Sequence, residues 1–293
     1  VAVLPEGMSR ERFTWLEKIG AEVIPTPGTE SNVKEIYDKC WEITRTRPDC
    51  VIFNQFDEFG NAMWHYHVTG NHIEDVYKTI ARPDDRLAAY VSATGSAGTL
   101  AAGEFVRKQH PLARIVASEA LQCPTLLQCG FGEHRIEGIG DKHVPWIHNV
   151  RNTDMVTAID DNKVMALMRL FNEEAGQEFL KERGLDESFV EHLPLLGLSS
   201  ISNMCSAIKA AKYYEMNSND MIFFPLTDGM ELYNSRLEEE RAAQGPYSRD
   251  HAIYDAARSL DGITLDYMRE LSFQDRKAIH NFKYFTWVEQ QGK

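Results

Sequence analysis

The chain has 293 residues, 43% of them hydrophobic and 26% charged, and its 31 Lys and Arg against 44 Asp and Glu leave a formal charge of −13. This is the composition of a folded chain with a sizeable core, about two domains at the usual ~100–200 residues each, and it excludes a disulfide scaffold or a disordered segment. The acidic balance, without a run of five like charges, argues against nucleic acid or an anionic membrane as partner and favours small-molecule chemistry.

In chain order, Val1–Leu4 reads as a strand, and a helix capped by Ser9 follows, with Phe13, Leu16 and Ile19 at helical spacing and Gly20 as its stop. Glu22–Ile24 then reads as a strand, Ser31–Thr44 as a helix, and Cys50–Phe53 as a strand running into the polar segment Asn54–Glu58. Leu87–Val91 is a further strand, followed by the small-residue loop Ser92–Thr99, a helix to Lys108 and a strand at Arg114–Ser118. Met155–Ile159 is expected as a strand, Asp161–Asn172 and Ser202–Tyr214 as helices, and Met221–Phe224 as a strand before Pro225–Gly229. The alternation is that of βαβ units, and strands this apolar suit an α/β fold whose mostly parallel sheet is flanked by helices. From about Glu238 to Lys293 the chain reads as a charged helical extension with aromatic residues at Phe282, Tyr284, Phe285 and Trp287.

No internal repeat or low-complexity tract occurs, and no apolar stretch reaches the ~18–20 residues needed to cross a bilayer. Five cysteines without CxxC spacing leave at least one free thiol, argue against a zinc ribbon and suit a reducing cytoplasm. Cys123 and Cys129 are expected as an inert buried pair of thiols rather than a redox switch. The first residue is not Met, and an opening on a strand-like run reads as a start inside a fold.

Five segments carry candidate chemistry. Ala93–Leu100, with Gly95 and Gly98 between a strand and a helix, is a credible phosphate cradle, since small residues let backbone N–H groups converge at a helix start. It is neither a Walker loop nor a GxGxxG fingerprint. Asn54–Phe56 with Asn61, His65, His67 and Thr69-Gly70 falls at a strand's carboxyl end, where ligands sit in open α/β sheets. His65, His67 and His72 do not make a metal site, because i, i+2 neighbours on a helix point to different sides. The others are the Gly-rich loop His134–Pro145, the serines of Gly197–Asn203, and Pro225–Gly229, whose Thr227 or Asp228 either caps a turn or faces the same crevice.

In this order the segments resemble the fold-type II pyridoxal-phosphate enzymes, the tryptophan synthase β-like superfamily, in its cysteine synthase (O-acetylserine sulfhydrylase) and cystathionine β-synthase branch. Pro5–Arg12 followed by Gly20-Ala-Glu-Val is similar to the family's "MPE-x-x-S-x-E-R … GA-x-[VL]". Asn54-Gln55-Phe56 through Thr69-Gly70 is similar to "QQF-x-NPAN … H-x-x-TG", and Gly95–Thr99 to the "GTGGT" phosphate loop. His134–Pro145 matches "HKIQGIG-x-x-x-x-P", and Gly197–Ser200 matches "GISSGA".

The resemblance covers residues 1 to about 237 and implies 1–48 as the remainder of a small mobile subdomain, 49–237 as a large cofactor-binding domain and 238–293 as an extension. It implies pyridoxal 5′-phosphate as cofactor, its phosphate held by Gly95, Ser96, Ala97, Gly98 and Thr99. Thr227 would stand at the pyridine nitrogen, with Asp228 as the substitute. Gln55 and Gly138 would meet the substrate, a small amino acid.

The implied reaction is β-replacement or β-elimination on an O-activated serine or cysteine, in a cytoplasmic homodimer. Two family patterns are not found: the "S-x-K-x-R" segment that carries the Schiff-base lysine and the "SGNTG" loop. The resemblance therefore implies that the lysine lies on an upstream polypeptide or a lost segment, or that the chain is a catalytically silent subunit. Lys142 and Lys209 are the lysines nearest matched motifs, and neither stands in the family's place. Ile201 replaces the Gly of "SSGA", and Ala97 replaces a loop Gly.

Overall fold

Two sheets, one small and one large, organise residues 1–293 of the computed structural model. In the small one, β1 (Ala2–Pro5) and β2 (Val23–Thr26) pair in parallel across the crossover helix α1 (Arg10–Lys18). Helix α2 (Val33–Thr46) packs beside them. A continuous helical stretch follows, made of α3 (Phe59–Trp64), a π-helical turn over His65–Thr69, and α4 (Gly70–Ile80).

The large sheet is built from β3 (Arg86–Ala93), α5 (Leu100–Gln109), β4 (Arg114–Ala120), α6 (Thr125–Gln128) and β5 (Met155–Ile159). Helices α7 (Asp161–Asn172), α8 (Glu174–Glu182), α9 (Glu187–His192) and α10 (Leu198–Tyr213) precede β6 (Asp220–Phe223). After it come α11 (Asn234–Gln244), α12 (Arg249–Asp255), β7 (Met268–Glu270) and α13 (Phe273–Tyr284).

The strand order is β6-β3-β4-β5-β7, parallel throughout except for the antiparallel edge strand β7. The chain steps outward from β3 to β5 and then returns to place β6 on the other side of β3. The carboxyl ends of β3 and β6 therefore flank a topological switch point, where the loops diverge and leave a crevice. Strands β3, β4 and β5 are buried almost end to end, as a sheet covered by helices on both faces requires. Ala102 and Val106 of α5 meet Leu87 and Tyr90 on one face, and Ala207 and Ala210 of α10 meet Val91, Val116 and Met155 on the other.

The serines of α10 are part of this packing. Ser206 donates to Ser118 of β4 at 2.7 Å, Thr157 of β5 donates to Ser206 at 2.8 Å, and Ser202 lies 3.1 Å from Ser118. Small hydroxyls let the helix approach the sheet closely while satisfying one another.

Four features differ from the sequence reading. Residues 50–53 form no strand: no neighbour offers a ladder, and Val51 and Phe53 are 78% and 87% exposed. An apolar run becomes a strand only where a partner takes its N–H and C=O groups. The polar segment after it leads into the helical stretch 59–80 rather than leaving a sheet. Helix α10 starts at Leu198, four residues before Ser202, so its serines lie inside the helix. The carboxy-terminal stretch is not helical throughout, since Met268–Glu270 joins the large sheet beside β5.

Candidate active site

The loop after β3 is the centre of the site. The backbone N–H groups of Gly95, Ser96, Ala97 and Thr99 have no acceptor in the protein, and α5 begins directly after them. Unpaired donors converging on a helix start are what a phosphate dianion needs. The loop is braced from behind: Thr99 shares a 2.6 Å hydrogen bond with Ser92, and the Tyr90 hydroxyl donates to the Thr99 carbonyl at 2.9 Å. Ala97 takes the left-handed conformation, φ 65°, which costs an L-residue ~1–2 kcal/mol and is the place where the family pattern has glycine. At Gly98 a Cβ would overlap the Asn61 amide. That amide also donates to Ser96 Oγ at 3.0 Å and to the Gln55 carbonyl at 2.9 Å, tying α3 to the loop.

Three further segments close on the loop. A Cβ on Gly95 would stand 2.9 Å from the Gly138 carbonyl, and Gly140 N–H donates to the Thr94 carbonyl at 2.9 Å. Gly138, at φ 87°, lies against Ser199 at the start of α10, and Ser199 Oγ is 3.0 Å from Thr227 Oγ1 beyond β6. Gly95–Thr99, Gly138 and Thr227 thus border one crevice at the switch point. Ser199, which the sequence marks only as part of a serine run, joins them through Thr227.

Asp228 is held through one of its two carboxyl oxygens, and the other, next to Gly197, has no partner. Its Oδ2 accepts from Arg12 at 3.0 Å and from Tyr233 at 2.6 Å, and burial pushes its carboxyl above the ordinary range despite those donors. The hydroxyl of Thr227 is bonded to Ser199, and the residue is exposed. Gln55 is anchored by its carbonyl, whereas its side chain is exposed and makes no hydrogen bond within the chain.

Charge around the Gly138 loop is organised by Glu137. It accepts from Ser9 N–H at 3.0 Å, Arg12 at 2.9 Å and Arg236 at 2.8 Å. Two more acids nearby escape notice in the sequence. Burial, with Glu137 close by, pushes the Glu30 carboxyl up to about 7, and burial with Glu30 nearby pushes Asp141 well above its usual value. Each keeps one carboxyl oxygen without a partner. Thr29-Glu30-Ser31 in a turn carries no local signal of burial, so only the packing of residues 28–32 against the Gly138 loop reveals it.

The lysines nearest the matched motifs are engaged elsewhere. Lys209 Nζ donates to the Thr264 carbonyl at 3.1 Å and to Asp266 at 2.9 Å, and Lys142 Nζ stands 5.8 Å from the Phe131 ring centre. Among the described groups, no three His, Cys, Asp or Glu residues gather as for a metal ion.

Comparison with known proteins identifies the family and the fold. The family model described as pyridoxal-phosphate dependent enzyme matches residues 1–178. Cysteine synthase B of Campylobacter jejuni is 28% identical over 236 residues, spanning 80% of this chain and 70% of that protein. The fold is shared with the hydrogen sulfide-producing enzyme Fn1055 of Fusobacterium nucleatum, TM-score 0.65 at 23% identity over 86% of this chain and 69% of that one. It is shared also with the O-acetylserine dependent cystathionine beta-synthase of Helicobacter pylori, TM-score 0.63 at 24% identity over 80% and 68%. The unpaired donors of the Gly95–Thr99 loop fit the phosphate of that cofactor, and the chain belongs to the pyridoxal-phosphate dependent enzyme family.

Proposed function

We propose that this chain forms the larger part of an enzyme of the cysteine synthase and cystathionine β-synthase type, catalysing β-replacement or β-elimination on an O-activated serine or cysteine. The observation that carries the reading is the convergence of the unpaired Gly95–Thr99 donors with Gly138, Ser199 and Thr227 at the switch point. When bound, the cofactor supplies an electron sink that acidifies the substrate's Cα–H. The Gly95–Thr99 loop holds its phosphate, and Thr227, oriented by Ser199, stands at its ring nitrogen as a neutral partner. Gln55 and Gly138 face the amino-acid substrate. In β-replacement the acyl-oxygen leaving group departs from Cβ with its electron pair, the nucleophile bonds to Cβ, and the nucleophile's proton leaves with the released acid.

The cofactor-linking lysine is contributed from outside these 293 residues, in the same or another polypeptide. The absence of an S-x-K-x-R pattern and the engagement of Lys209 away from the loop support this. Residues 1–48 act as a small mobile unit, 49–237 as the cofactor-binding unit and 238–293 as an extension, in a cytoplasmic homodimer.

Borohydride reduction of the cofactor-loaded protein, digestion and mass spectrometry test the assignment. A phosphopyridoxyl group on a lysine of a segment other than these residues is expected. Label on Lys142 or Lys209 would replace the external lysine with an internal one, and no label on any lysine would leave a silent subunit.

A further inference from the structure

Between α3, α5 and α13 lies a cleft of about 550 Å³ that none of the roles above uses, lined in part by Phe59, Met63, Tyr66, Glu104, Trp146 and Lys283. We propose that this cleft is an effector site for a free α-amino acid with an apolar side chain, its carboxylate taken by Lys283 and its ammonium by Glu104, and that its occupancy is felt at the Gly95–Thr99 loop. The site stands apart from the β-replacement reading; only its effect on cofactor affinity rests on that loop's assignment.

Charge supplies the class of ligand. Lys283 Nζ donates to the carbonyls of Trp146 at 3.2 Å and His148 at 2.9 Å, and it stands 5.6 Å from the Trp146 ring centre. All three residues border the cleft. An ammonium has three N–H donors, so one remains, and Lys283 forms no ion pair although the chain carries a net charge of −13. Burial lowers its pKa, and a carboxylate at the remaining donor offsets what desolvation takes from the charged form. Glu104 is the opposite case: its Oε2 accepts from Asn149 at 3.2 Å and from Asn152 at 2.9 Å, and no cation pairs with it. Lys283 reaches the carbonyl of residue 148 and Glu104 the side chain of residue 149, so the two charges flank one stretch of chain without meeting. A lone cation would suit an anion and a lone carboxylate an amine, whereas both on one wall suit a zwitterion. His148 between them is 2% exposed, leaves Nδ1 without a partner, and stays uncharged because burial and Lys283 lower its pKa to about 3.

Size and lining supply the side chain. The volume lies within the ~300–1,000 Å³ of small-molecule sites, and Phe59 and Met63, both more than half exposed, join Tyr66 and Trp146 as apolar surface for it. Position supplies the coupling. Ala101, Glu104, Ile147, His148 and Asn149 of the cleft also border a void of about 10 Å³ that reaches Ala97 of the Gly95–Thr99 loop. Helix α3 carries Asn61, whose amide donates to Ser96 Oγ at 3.0 Å. A ligand that shifts α3 or the first turn of α5 therefore shifts the loop's donors, and the two sites share a coupling free energy.

The test titrates the 293-residue chain by calorimetry with L-phenylalanine (zwitterion), 3-phenylpropionate (carboxylate only) and 2-phenylethylamine (ammonium only). The chain is saturated with pyridoxine 5′-phosphate, which has no aldehyde to condense with an amine. Phenylalanine is expected to bind tightest. Lys283→Met is expected to weaken phenylalanine and phenylpropionate about tenfold and leave phenylethylamine within about twofold. Glu104→Gln, which keeps an acceptor for both asparagines, is expected to weaken phenylalanine and phenylethylamine and leave phenylpropionate, so the proposal stays testable if Lys283→Met fails to fold. Saturating phenylalanine is expected to change the affinity for pyridoxine 5′-phosphate about fivefold. Equal affinities for the three probes, or a loss of phenylalanine binding in Gln55→Ala with Glu104→Gln unaffected, would overturn the proposal, the latter by placing the ligand at the substrate segment. No binding of any probe to a chain that sediments as a dimer would give the cleft to a second copy and overturn it as well. Phenylalanine binding that depends on both charges in a chain that takes up no pyridoxine 5′-phosphate would sink the cofactor reading and leave the amino-acid site standing.

Discussion

Gly98 and Ala97 sit side by side in the loop proposed to hold the cofactor phosphate and respond to opposite changes. A methyl group at Gly98 meets the Asn61 amide, and such overpacking costs ~1–3 kcal/mol. Gly98→Ala is therefore expected to lower affinity for pyridoxal phosphate by about tenfold, measured by equilibrium dialysis. Ala97→Gly relieves the positive φ and is expected to raise stability by ~0.5–1 kcal/mol in urea unfolding, the left-handed penalty exceeding glycine's entropy cost. Both residues were legible as a loop from the small-residue run alone. How Thr227 and Asp228 are partnered was not, because neighbours in an irregular segment point apart, and Asp228 meets Arg12 from 216 positions away.

At the scale of elements, α1 is joined to the large unit by a part-buried charge network. Arg12 binds both Glu137 and Asp228, Arg236 approaches Glu137 from α11, and the Ser9 N–H at the start of α1 also ends on Glu137. Removing the Arg12 cation leaves Asp228 without a counter-charge in a poorly solvated space beside Glu137, which keeps Arg236, a loss of ~3–5 kcal/mol. Arg12→Met is expected to lower the urea midpoint accordingly, and the added change Asp228→Asn to recover part of it, since one uncompensated charge disappears. An unchanged midpoint in Arg12→Met would mean that solvent reaches the network. Periodicity located β1, α1, β2 and the βαβ core, because each carries apolar residues at a local spacing, although α1 fully buries none of its own. It also read Cys50–Phe53 as a strand, since apolarity reports the wish for burial and not the presence of a partner.

For the whole molecule, two sets of buried groups set the pH of greatest stability. Burial pushes Glu30 up to about 7 and Glu119 up to about 8, the latter despite two N–H donors from Leu126 and Leu127. Burial lowers His143 to about 4 and His148 to about 3. The raised carboxyls hold protons that the unfolded chain gives up, so their contribution falls as pH rises from the ordinary glutamate value of 4.5 through about 7–8. The histidines refuse protons that the unfolded chain takes up, so theirs falls as pH drops below 6.5 towards 3–4. Above 6.5 only the carboxyls act. Thermal melts are expected to show Tm declining between pH 6.5 and 8, and Glu119→Gln to flatten that slope by on the order of 1 kcal/mol per pH unit. A level Tm across that interval in the unsubstituted protein would refute the assignment.

The sequence by itself determined the α/β class, the parallel core, the small-residue loop after β3 and the family resemblance, because strand apolarity, helix spacing and small-residue turns are local properties. Tertiary structure decided the rest. The placement of β6 beside β3 made the crevice, the arrival of Arg12 engaged one oxygen of Asp228, and the approach of residues 28–32 buried Glu30 against the Gly138 loop. These depend on contacts between segments more than a hundred positions apart, whose energies are set by mutual burial and charge and leave no periodic trace in the chain.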